Sequence, residues 1–503
     1  MKRDFDRWAI IFVIAVVVAG LALRLRLALL TYLNPDEALH ALLAFGTLRE
    51  TIRNSIGVTH PPLLAVITHF VSRISRTELA LRLVPLMAGC LFPLLLFVWL
   101  RRLAGSIAAM AVLFLLTLAP NTIMLSAQLR SYTLALLFLS ASLLVLEEAL
   151  ESGRWRMMAL YSVLLWLCIV SDYSVAWFVG AAGVYVLLRF RGSSAAVKAT
   201  WFAGQLAGLG LYGLLFRFQV RRYRGSSTER EAVTGWLRQA FPQAGHMLVF
   251  PFKNTLAQFD YLMPWAPLGG LAFVLFAAAV WLLWSGRAGI ERSKARALAV
   301  LLVLPFLLGI AGAYAQQFPY GGSRHTIVMG LFGAIGIAIF VGTLPRPAAF
   351  LLLWGMLLLS PLWLRMRDYD GIAADRNQKL QILQCLDYMR AHIPPDTLVL
   401  AERDTFNVLA YYEGHDKLLE WPGETRYFSE NLLGGRWRIA TRDYSYSTED
   451  QYAAALAAFR RQYGLGERDP VWVLDGGWSA VYGPPDEKLP FTRAVRVFQA
   501  GAR

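Results

Sequence analysis

Residues 8–40 read WAIIFVIAVVVAGLALRLRLALLTYLNPDEALH. The apolar run at 8–30 is long enough to cross a membrane, because a helix needs about 20 apolar residues to span a bilayer core of roughly 30 Å. Two acidic residues, Asp36 and Glu37, follow this run at once. Carboxylates at a membrane surface are costly to place near lipid, so such a pair generally has a task. The stretch predicts a membrane-spanning helix followed by a candidate functional site.

Similar apolar runs recur along the chain, which is 57% hydrophobic, with a mean hydropathy of +0.46. A soluble domain averages roughly 45–50% apolar residues. The first run has the basic start of a signal peptide, but later spans follow and no small-residue cleavage site is evident, so it is predicted to be an anchor. We predict a polytopic α-helical membrane protein with eleven spans, near residues 8–30, 80–100, 107–125, 132–150, 157–171, 174–190, 200–218, 267–284, 298–315, 325–342 and 348–364.

The net charge of +15 follows the predicted topology and does not indicate a nucleic-acid partner. With a cytoplasmic N-terminus, the inner segments hold 15 Lys/Arg in 48 residues, whereas the outer loops hold 12 in 115. This threefold difference in density is the positive-inside pattern. The basic residues therefore predict anionic membrane lipid as a partner, and the odd number of spans places the residues after 364 outside.

The predicted organisation is a transmembrane domain at 1–364 and a soluble α/β domain at 365–503. The transmembrane domain has two long outer loops, at 31–79 and 219–264. Leucines with helical spacing in the first loop (Leu39, Leu42, Leu43 and Leu48) predict a helix lying in the membrane interface. In the tail, periodicity and capping signals predict helices at 376–393 and from Thr448 to Tyr463, and strands at 397–401, 471–474 and 495–498.

The polar residues that stand out all fall on the predicted outer side. Besides Asp36 and Glu37, they are Arg24 and Arg26 in the outer half of span one, His60 before two prolines, Arg130 between spans three and four, Asp172-Tyr173, and Arg324-His325. Arginines can hold phosphate oxygens by bidentate hydrogen bonds, and a carboxylate can take a proton from an attacking hydroxyl. Direct displacement at an anomeric carbon needs one base and inverts the configuration. The set therefore suits transfer of a sugar from a lipid-anchored phosphate.

Each of these residues also has a simpler explanation. Asp36 and Glu37 would serve as a helix cap, Arg24 and Arg26 would extend to headgroups, Arg130 would contact headgroups, His60 would be structural, Asp172 would cap span six, and Arg324 and His325 would anchor the interface. Their common side favours the functional interpretation of the set.

At these residues the chain resembles the GT-C membrane glycosyltransferases, in the branch of the protein O-mannosyltransferases and the lipid A aminoarabinose transferases. Five stretches carry the resemblance in the family's order and, with the hydrophobic layout, cover roughly residues 1–365. They are Asp36-Glu37; Thr59-His60-Pro61-Pro62-Leu63; Leu81-Arg82-Leu83-Val84-Pro85; Ser126 to Tyr132, ending Arg-Ser-Tyr; and Arg324-His325.

The resemblance implies an inverting, mannosyltransferase-like enzyme in a bacterial inner (plasma) membrane, acting on the periplasmic or extracellular side. The donor would be a polyprenyl-phosphate sugar, and the acceptor a hydroxyl of a lipid, glycan or protein. Asp36 would be the catalytic base, supported by Glu37. Donor-binding residues would be His60, Arg82, Arg130, Tyr132, Asp172, Arg324 and His325.

No cofactor is required by this mechanism, although a divalent metal is possible beside Glu37. Thr59 stands where some relatives have a metal-binding carboxylate, which argues against a bound metal, and the Asp172-Tyr173 pair departs from the neutral or His-Tyr pair expected there. Three other functions stay open: a lipid-linked oligosaccharide ligase or polymerase, a flippase or transporter, and an assembly partner whose tail binds other proteins. The gathering of charge at one face, without an evident inverted repeat, speaks against a transporter.

Overall fold

A computed structural model describes residues 2–58, 60–221, 233, 235, 237–263, 266–366, 378–401, 403–414, 428–432, 437–441, 449–476 and 495–500. The chain divides into two compact units. We call the first the helical unit; it comprises Met1–Leu27, Ser55–Leu64 and Arg82–Ala374. The second, the sheet unit, comprises Ala28–Asn54, Ala65–Leu81 and Asp375–Arg503, so that two segments near the first predicted loop group with the tail.

Among the described residues, fifteen α-helices precede the tail, and most of them belong to the helical unit. In chain order they are α1 (Lys2–Leu30), α2 (Pro35–Phe45), α3 (Leu48–Gly57), α4 (Leu63–Ile74), α5 (Glu78–Leu118), α6 (Pro120–Ser126), α7 (Tyr132–Ser152), α8 (Trp155–Ile169), α9 (Ala176–Arg189), α10 (Ala195–Leu215), α11 (Phe250–Leu262), α12 (Ala266–Ser285), α13 (Arg292–Tyr314), α14 (Ile327–Thr343) and α15 (Arg346–Met366). Helix α8 packs against α7 and α10, and α13 packs against α9 and α12.

Ten of the eleven predicted spans fall mainly on one helix each, and the span at 107–125 continues from α5 into α6, which confirms the polytopic helical fold class. Among the described residues, seven helices are long and apolar enough to cross a membrane. One of them is the 41-residue α5, which covers the second predicted span and the first part of the third, and departs from helical geometry at Gly105, where φ is 87°. Helices α8, α9 and α15 are apolar but shorter, so a full count of eleven spans remains a prediction.

A buried arginine joins α1 to the break between α5 and α6. Pro120 lacks an N–H, so the carbonyl of Leu116 has no helical donor four residues on. The guanidinium of Arg24, wholly buried, donates to the carbonyls of Thr117 at 2.7 Å and Leu116 at 3.4 Å, and to the hydroxyl of Ser126 at 3.1 Å. Arg24 therefore does not extend to headgroups; it fastens three helices together inside the protein. Arg26, by contrast, is exposed.

The sheet unit contains a five-stranded sheet with the order β2-β3-β1-β4-β5. Its elements after α15 are α16 (Gln378–His392), β1 (Leu398–Ala401), α17 (Arg403–Tyr412), β2 (Phe428–Leu432), β3 (Trp437–Thr441), α18 (Glu449–Tyr463), β4 (Val471–Gly476) and β5 (Val495–Ala500). Strand β1 is parallel to β3 and β4, whereas β2 and β5 are antiparallel to their neighbours. Leu400, Val471 and Val473 pack with Phe459 of α18 in the core.

The predicted tail elements agree closely with the observed ones, since α16, β1, α18, β4 and β5 lie where periodicity placed them. Helix α17 and strands β2 and β3 were not predicted. The proposed capping residue Thr448, like Thr59 of the first loop, lies outside the described residues.

The predicted interfacial helix exists but does not lie against lipid. Helix α2 ends at Phe45, before Leu48, and its side chains are buried on almost every side. Within the sheet unit it packs against α17. A helix buried all round belongs to a protein core. The leucine pattern predicted the helix correctly, and its surroundings wrongly.

Candidate active site

Arg130 and Tyr132 lie in a tight turn between α6 and α7. The backbone N–H of Arg130 donates to the carbonyl of Gln128 at 2.8 Å, and the whole turn is buried. The Arg130 guanidinium lies 3.4 Å from the Tyr132 hydroxyl and 5.6 Å from the centre of its ring. The Tyr132 ring meets the His325 ring edge-on, with centroids 6.3 Å apart. The structure therefore brings together Arg130, Tyr132 and His325, which come from two motifs far apart in the sequence.

Asp172 joins the same group, which we call the Arg130 cluster (Arg130, Ser131, Tyr132, Asp172 and His325). One carboxylate oxygen accepts from the backbone N–H of Ser174 at 2.8 Å, and the other accepts from the Ser131 hydroxyl at 3.4 Å. The first bond caps a short 3₁₀ turn, Tyr173–Val175, so the predicted capping role of Asp172 is present. Burial raises the pKa of Asp172, and the Ser174 hydrogen bonds, the nearby Arg130 charge and Ser131 oppose the rise.

A glutamine that sequence reasoning missed fixes the segment that carries His60. Gln219 is 2% exposed, and its amide nitrogen lies 2.7 Å from the carbonyl of Ser55, 2.5 Å from that of Val58 and 2.6 Å from that of His60. Its amide oxygen accepts from the hydroxyl of Tyr173. Gln219 therefore connects the His60 segment to the residue next to Asp172.

Two further features support this connection. The backbone N–H of Leu63 donates to the carbonyl of Val170 at 3.2 Å, which holds the end of the His60-Pro61-Pro62 segment beside the turn containing Asp172. Gln219 itself lies in a π-helical turn, Phe216–Val220, that follows α10. Such turns are rare and are frequent at functional sites.

The remaining predicted donor-binding residues belong to the same unit. Arg82 is wholly buried on α5. It lies less than one turn before Pro85, whose carbonyl accepts from Thr133 at the start of α7 at 2.9 Å. Arg324 opens the 3₁₀ turn Arg324–Thr326 that also carries His325 and leads into α14. This turn is anchored by the buried Thr326 hydroxyl, which donates to the carbonyls of Gly321 and Ser323.

Asp36 and Glu37 lie in the sheet unit, in the first turn of α2. Glu37 is 1% exposed and completes a capping box. Its carboxylate accepts from the backbone N–H of Asn34 at 3.1 Å, and its own N–H donates to the Asn34 side chain at 3.1 Å. Glu37 therefore caps α2, which is the simpler role that the sequence also allowed for Asp36 and Glu37. Asp36 is partly exposed in the same turn, in a position that the cap makes rigid.

The described residues offer no group of three or more His, Cys, Asp or Glu side chains that could hold a metal ion. The carboxylate of Glu37 is already engaged by the helix cap. These residues do not form a recognisable metal centre, and no step below is assigned to a metal.

A second charged group in the helical unit lies away from the predicted site residues. We call it the Glu147 cluster (Glu147, Glu151, Tyr185, Arg189 and Lys294); it joins α7, α9 and α13. Glu147, 2% exposed, has Arg189 at 3.0 Å and Lys294 at 2.5 Å, and its other oxygen accepts from the Tyr185 hydroxyl at 2.8 Å. Lys294 also contacts Glu151 at 2.5 Å.

Comparisons with known proteins agree with this fold. The family described as dolichyl-phosphate-mannose-protein mannosyltransferase matches residues 59–213, which is less than half of the chain and includes His60, Arg82, the Arg130 turn and Asp172. A comparison with curated proteins gives no significant match.

Two kinds of solved structure are similar over most of the chain. One is ArnT from Cupriavidus metallidurans bound to undecaprenyl phosphate, with a TM-score of 0.53, 12% identity, and 93% of each chain covered. The other is the oligosaccharyltransferase of Archaeoglobus fulgidus in the apo form, with a TM-score of 0.51 and 11% identity. That match covers 92% of this chain and 69% of the other.

The chain is therefore a multi-pass membrane protein with the GT-C fold of lipid-linked-sugar glycosyltransferases, as its motifs predicted. Within that class, residues 59–213 have the sequence pattern of the dolichyl-phosphate-mannose-protein mannosyltransferase family.

Proposed function

We propose that this protein is an inverting glycosyltransferase that moves a sugar from a polyprenyl-phosphate donor to a hydroxyl of a lipid, glycan or protein acceptor. The observation that carries the proposal is the Arg130 cluster, which unites an arginine, an aromatic ring, a histidine and a carboxylate in a GT-C fold. A similar structure that binds undecaprenyl phosphate supports the donor class.

In this proposal the Arg130 cluster, with His60, Arg82 and Arg324, holds the donor phosphate. Arginine presents several N–H groups in a plane that matches phosphate oxygens. As the glycosidic bond breaks, negative charge grows on the departing phosphate, and fixed cations stabilise it. Tyr132 lies across the Arg130 guanidinium and limits its freedom. The donor is thereby held in one orientation for attack.

Asp36 then removes the proton of the acceptor hydroxyl as its oxygen attacks the anomeric carbon, and the polyprenyl phosphate leaves. One base and no covalent intermediate give inversion. Asp36 suits this role because its neighbour Glu37 and the Asn34 cap fix the turn. Following the charge distribution along the sequence, the N-terminus would be cytoplasmic, and the reaction would take place on the periplasmic or extracellular side.

The proposal is tested with purified protein in lipid nanodiscs and a panel of radiolabelled monosaccharide-phosphate polyprenols, including a mannosyl donor. Envelope extracts of a deletion strain supply candidate acceptors. We expect one donor to be consumed with inversion. Asp36→Asn should reduce transfer by about 10²–10⁴-fold, the usual contribution of a general base. Asp387→Asn, at an exposed position of α16, is the matched control and should keep full activity.

Full transfer by folded Asp36→Asn would remove the assignment of the base. The similarity to an archaeal oligosaccharyltransferase supports a second candidate function, transfer of a preassembled glycan. Consumption of an undecaprenyl-diphosphate glycan, and of no monosaccharide donor, would favour that alternative. Scrambling of the lipid donor by Asp36→Asn in liposomes, without transfer by the wild type, would indicate a flippase.

A further inference from the structure

Within the sheet unit, the last residues of α17 contact the segment that carries Asp36. Helix α2, which begins at Pro35, packs against α17 within this unit. Two consecutive tyrosines, Tyr411 and Tyr412, end α17. Their hydroxyls contact both ends of the first predicted loop, residues 31–79. Tyr412 contacts Leu33 at its start and Glu78 at its end, and Tyr411 contacts Arg76 near its end.

Tyr412 makes two hydrogen bonds that meet at one oxygen. Its hydroxyl accepts from the backbone N–H of Leu33 at 3.1 Å and donates to the carboxylate of Glu78. Leu33 is wholly buried and directly precedes Asn34, the cap residue of α2. A phenolic hydroxyl is both donor and acceptor, so this single group ties the start of α2 to the start of α5.

The Glu78 carboxylate, which accepts the hydrogen bond from Tyr412, is itself held in place. Glu78 is 5% exposed and forms an ion pair with Lys379 of α16. The Tyr412 hydroxyl thus meets a carboxylate that is fixed by a second element of the sheet unit. A buried N–H such as that of Leu33 requires an acceptor, because leaving it without one destabilises the fold. The Tyr412 hydroxyl supplies this acceptor, and its hydrogen bond to Glu78 fixes its position.

Tyr411 secures the other end of α2. Its hydroxyl donates to the carbonyl of Arg76 at 2.8 Å, and its ring centre lies 6.2 Å from that of Phe45, the last residue of α2. The Arg76 guanidinium lies 4.5 Å from the centre of the Phe45 ring. Both ends of the helix that carries Asp36 are therefore in contact with α17.

We propose that Tyr412 is a positioning residue that sets the place of Asp36, and that the soluble α/β part of the chain acts on the chemistry through it. The inference rests on the proposed function, in which Asp36 is the base. A displacement of about 1 Å at a reacting group can reduce a rate by about 10²-fold. Loss of the Tyr412 hydroxyl leaves α2 packed but releases Leu33, three residues before Asp36.

The test compares Tyr412→Phe with Tyr463→Phe, a control on α18 whose ring packs against Phe459 in the sheet core. Donor turnover by full-length protein in nanodiscs gives kcat and KM, and thermal unfolding reports folding. We expect kcat of Tyr412→Phe to fall by about 10–100-fold, with KM for the donor unchanged and the unfolding midpoint lowered by only a few degrees through the lost acceptor of the Leu33 N–H. Tyr463→Phe should keep the wild-type kcat. A wild-type kcat in folded Tyr412→Phe, or a change confined to KM, overturns the proposal.

Glu78 provides a second pair of variants that decides the matter if Tyr412→Phe does not fold. Glu78→Gln keeps an acceptor for the tyrosine hydroxyl and should retain most of the kcat, whereas Glu78→Leu should reproduce the loss. Equal kcat values in the two Glu78 variants overturn the proposal. Asp36→Asn is measured in parallel. If it is inactive while Tyr412→Phe is fully active, only the positioning role fails; if it is fully active, the proposed base itself fails.

Discussion

The Glu147 and Arg130 clusters both contain a carboxylate next to an arginine, but the carboxylates have different partners. Glu147 has two cations, Arg189 and Lys294, within 3.0 Å, as well as the Tyr185 hydroxyl. Asp172 has as its nearest partners a backbone N–H and a serine hydroxyl. In the first cluster the charges neutralise one another, whereas in the second Arg130 is oriented by the Tyr132 ring and hydroxyl.

We propose from this difference that the Glu147 cluster is structural and that the Arg130 cluster takes part in the chemistry. In an ion pair buried between helices, the two charges compensate each other. Removing one partner leaves the other charge uncompensated. The guanidinium of an arginine presents its N–H groups in a plane that matches the oxygens of an anionic ligand. Stability should therefore depend on the Glu147 cluster, and transfer on the Arg130 cluster.

Arg130→Ala should have the largest effect, a loss of transfer of about 10³-fold, comparable to removal of a group that stabilises transition-state charge. Arg130→Lys should recover part of this activity, because lysine keeps the charge but not the planar geometry. Kinetics of donor consumption in nanodiscs provide the measurement. The control is Arg26→Ala, at an exposed position. If Arg130→Ala loses stability in proportion to activity, the cluster is structural and the contrast is wrong.

Glu147→Ala should lower the free energy of unfolding by about 3–5 kcal/mol, because Arg189, which is 13% exposed, would lose its carboxylate and Lys294 would keep only Glu151. Denaturant titration in detergent measures this. The folded fraction should transfer sugar at the wild-type rate. Glu148→Ala changes the neighbouring, more exposed carboxylate and should leave stability almost unaltered. Equal effects of the two variants would show that the Glu147 cluster does not stabilise the fold.

Gln219→Ala should weaken donor binding by about tenfold, roughly 1.4 kcal/mol, because three carbonyls of the His60 segment lose a common donor. Gln219→Glu should be worse, since it places an acceptor against those carbonyls. The measurement is KM for the donor, with Gln205→Ala on the same helix as the control. An unchanged KM in both Gln219 variants would mean that the His60 segment does not contribute to the donor site.

Arg102→Ala should have the smallest effect. Its ion pair with Glu148, at 3.1 Å, is between side chains that are 53% and 41% exposed. Exposed pairs contribute about 0–1 kcal/mol, so neither unfolding nor transfer should change measurably. A loss approaching that of Glu147→Ala would show that exposure does not distinguish the two ion pairs.

The hydropathy pattern predicted the helical fold well because crossing a bilayer requires long uninterrupted apolar runs. The same pattern predicted two separate spans at 80–100 and 107–125, and the structure has a break in helical geometry between them, at Gly105 of α5. In the tail, α17 and strands β2 and β3 were missed. Helix α17 has a buried face that includes polar Thr405 and Asn407, which weakens the apolar periodicity on which prediction depends.

The sequence indicated the residues of the candidate site, but only some of the contacts between them. The motifs indicated Arg130, Tyr132 and His325, the predicted outer side indicated Asp172, and the four residues lie together. Gln219 and His60 are 159 positions apart, and nothing local in a sequence marks such a pair. The Leu33 to Tyr412 bond joins positions still further apart. Arg24 had a usable signal, because Pro120 within an apolar run leaves a carbonyl in need of a donor.

The place of Arg24 also bears on how the protein is made. The partners of its guanidinium, at Leu116, Thr117 and Ser126, are synthesised about a hundred residues after it. Until they emerge, α1 carries a positive charge that lipid does not solvate, at an insertion cost of about 2.5–3.5 kcal/mol near the centre of a bilayer. Helix α1 is therefore expected to remain beside the insertion machinery until α5 and α6 arrive, and to enter the lipid together with them.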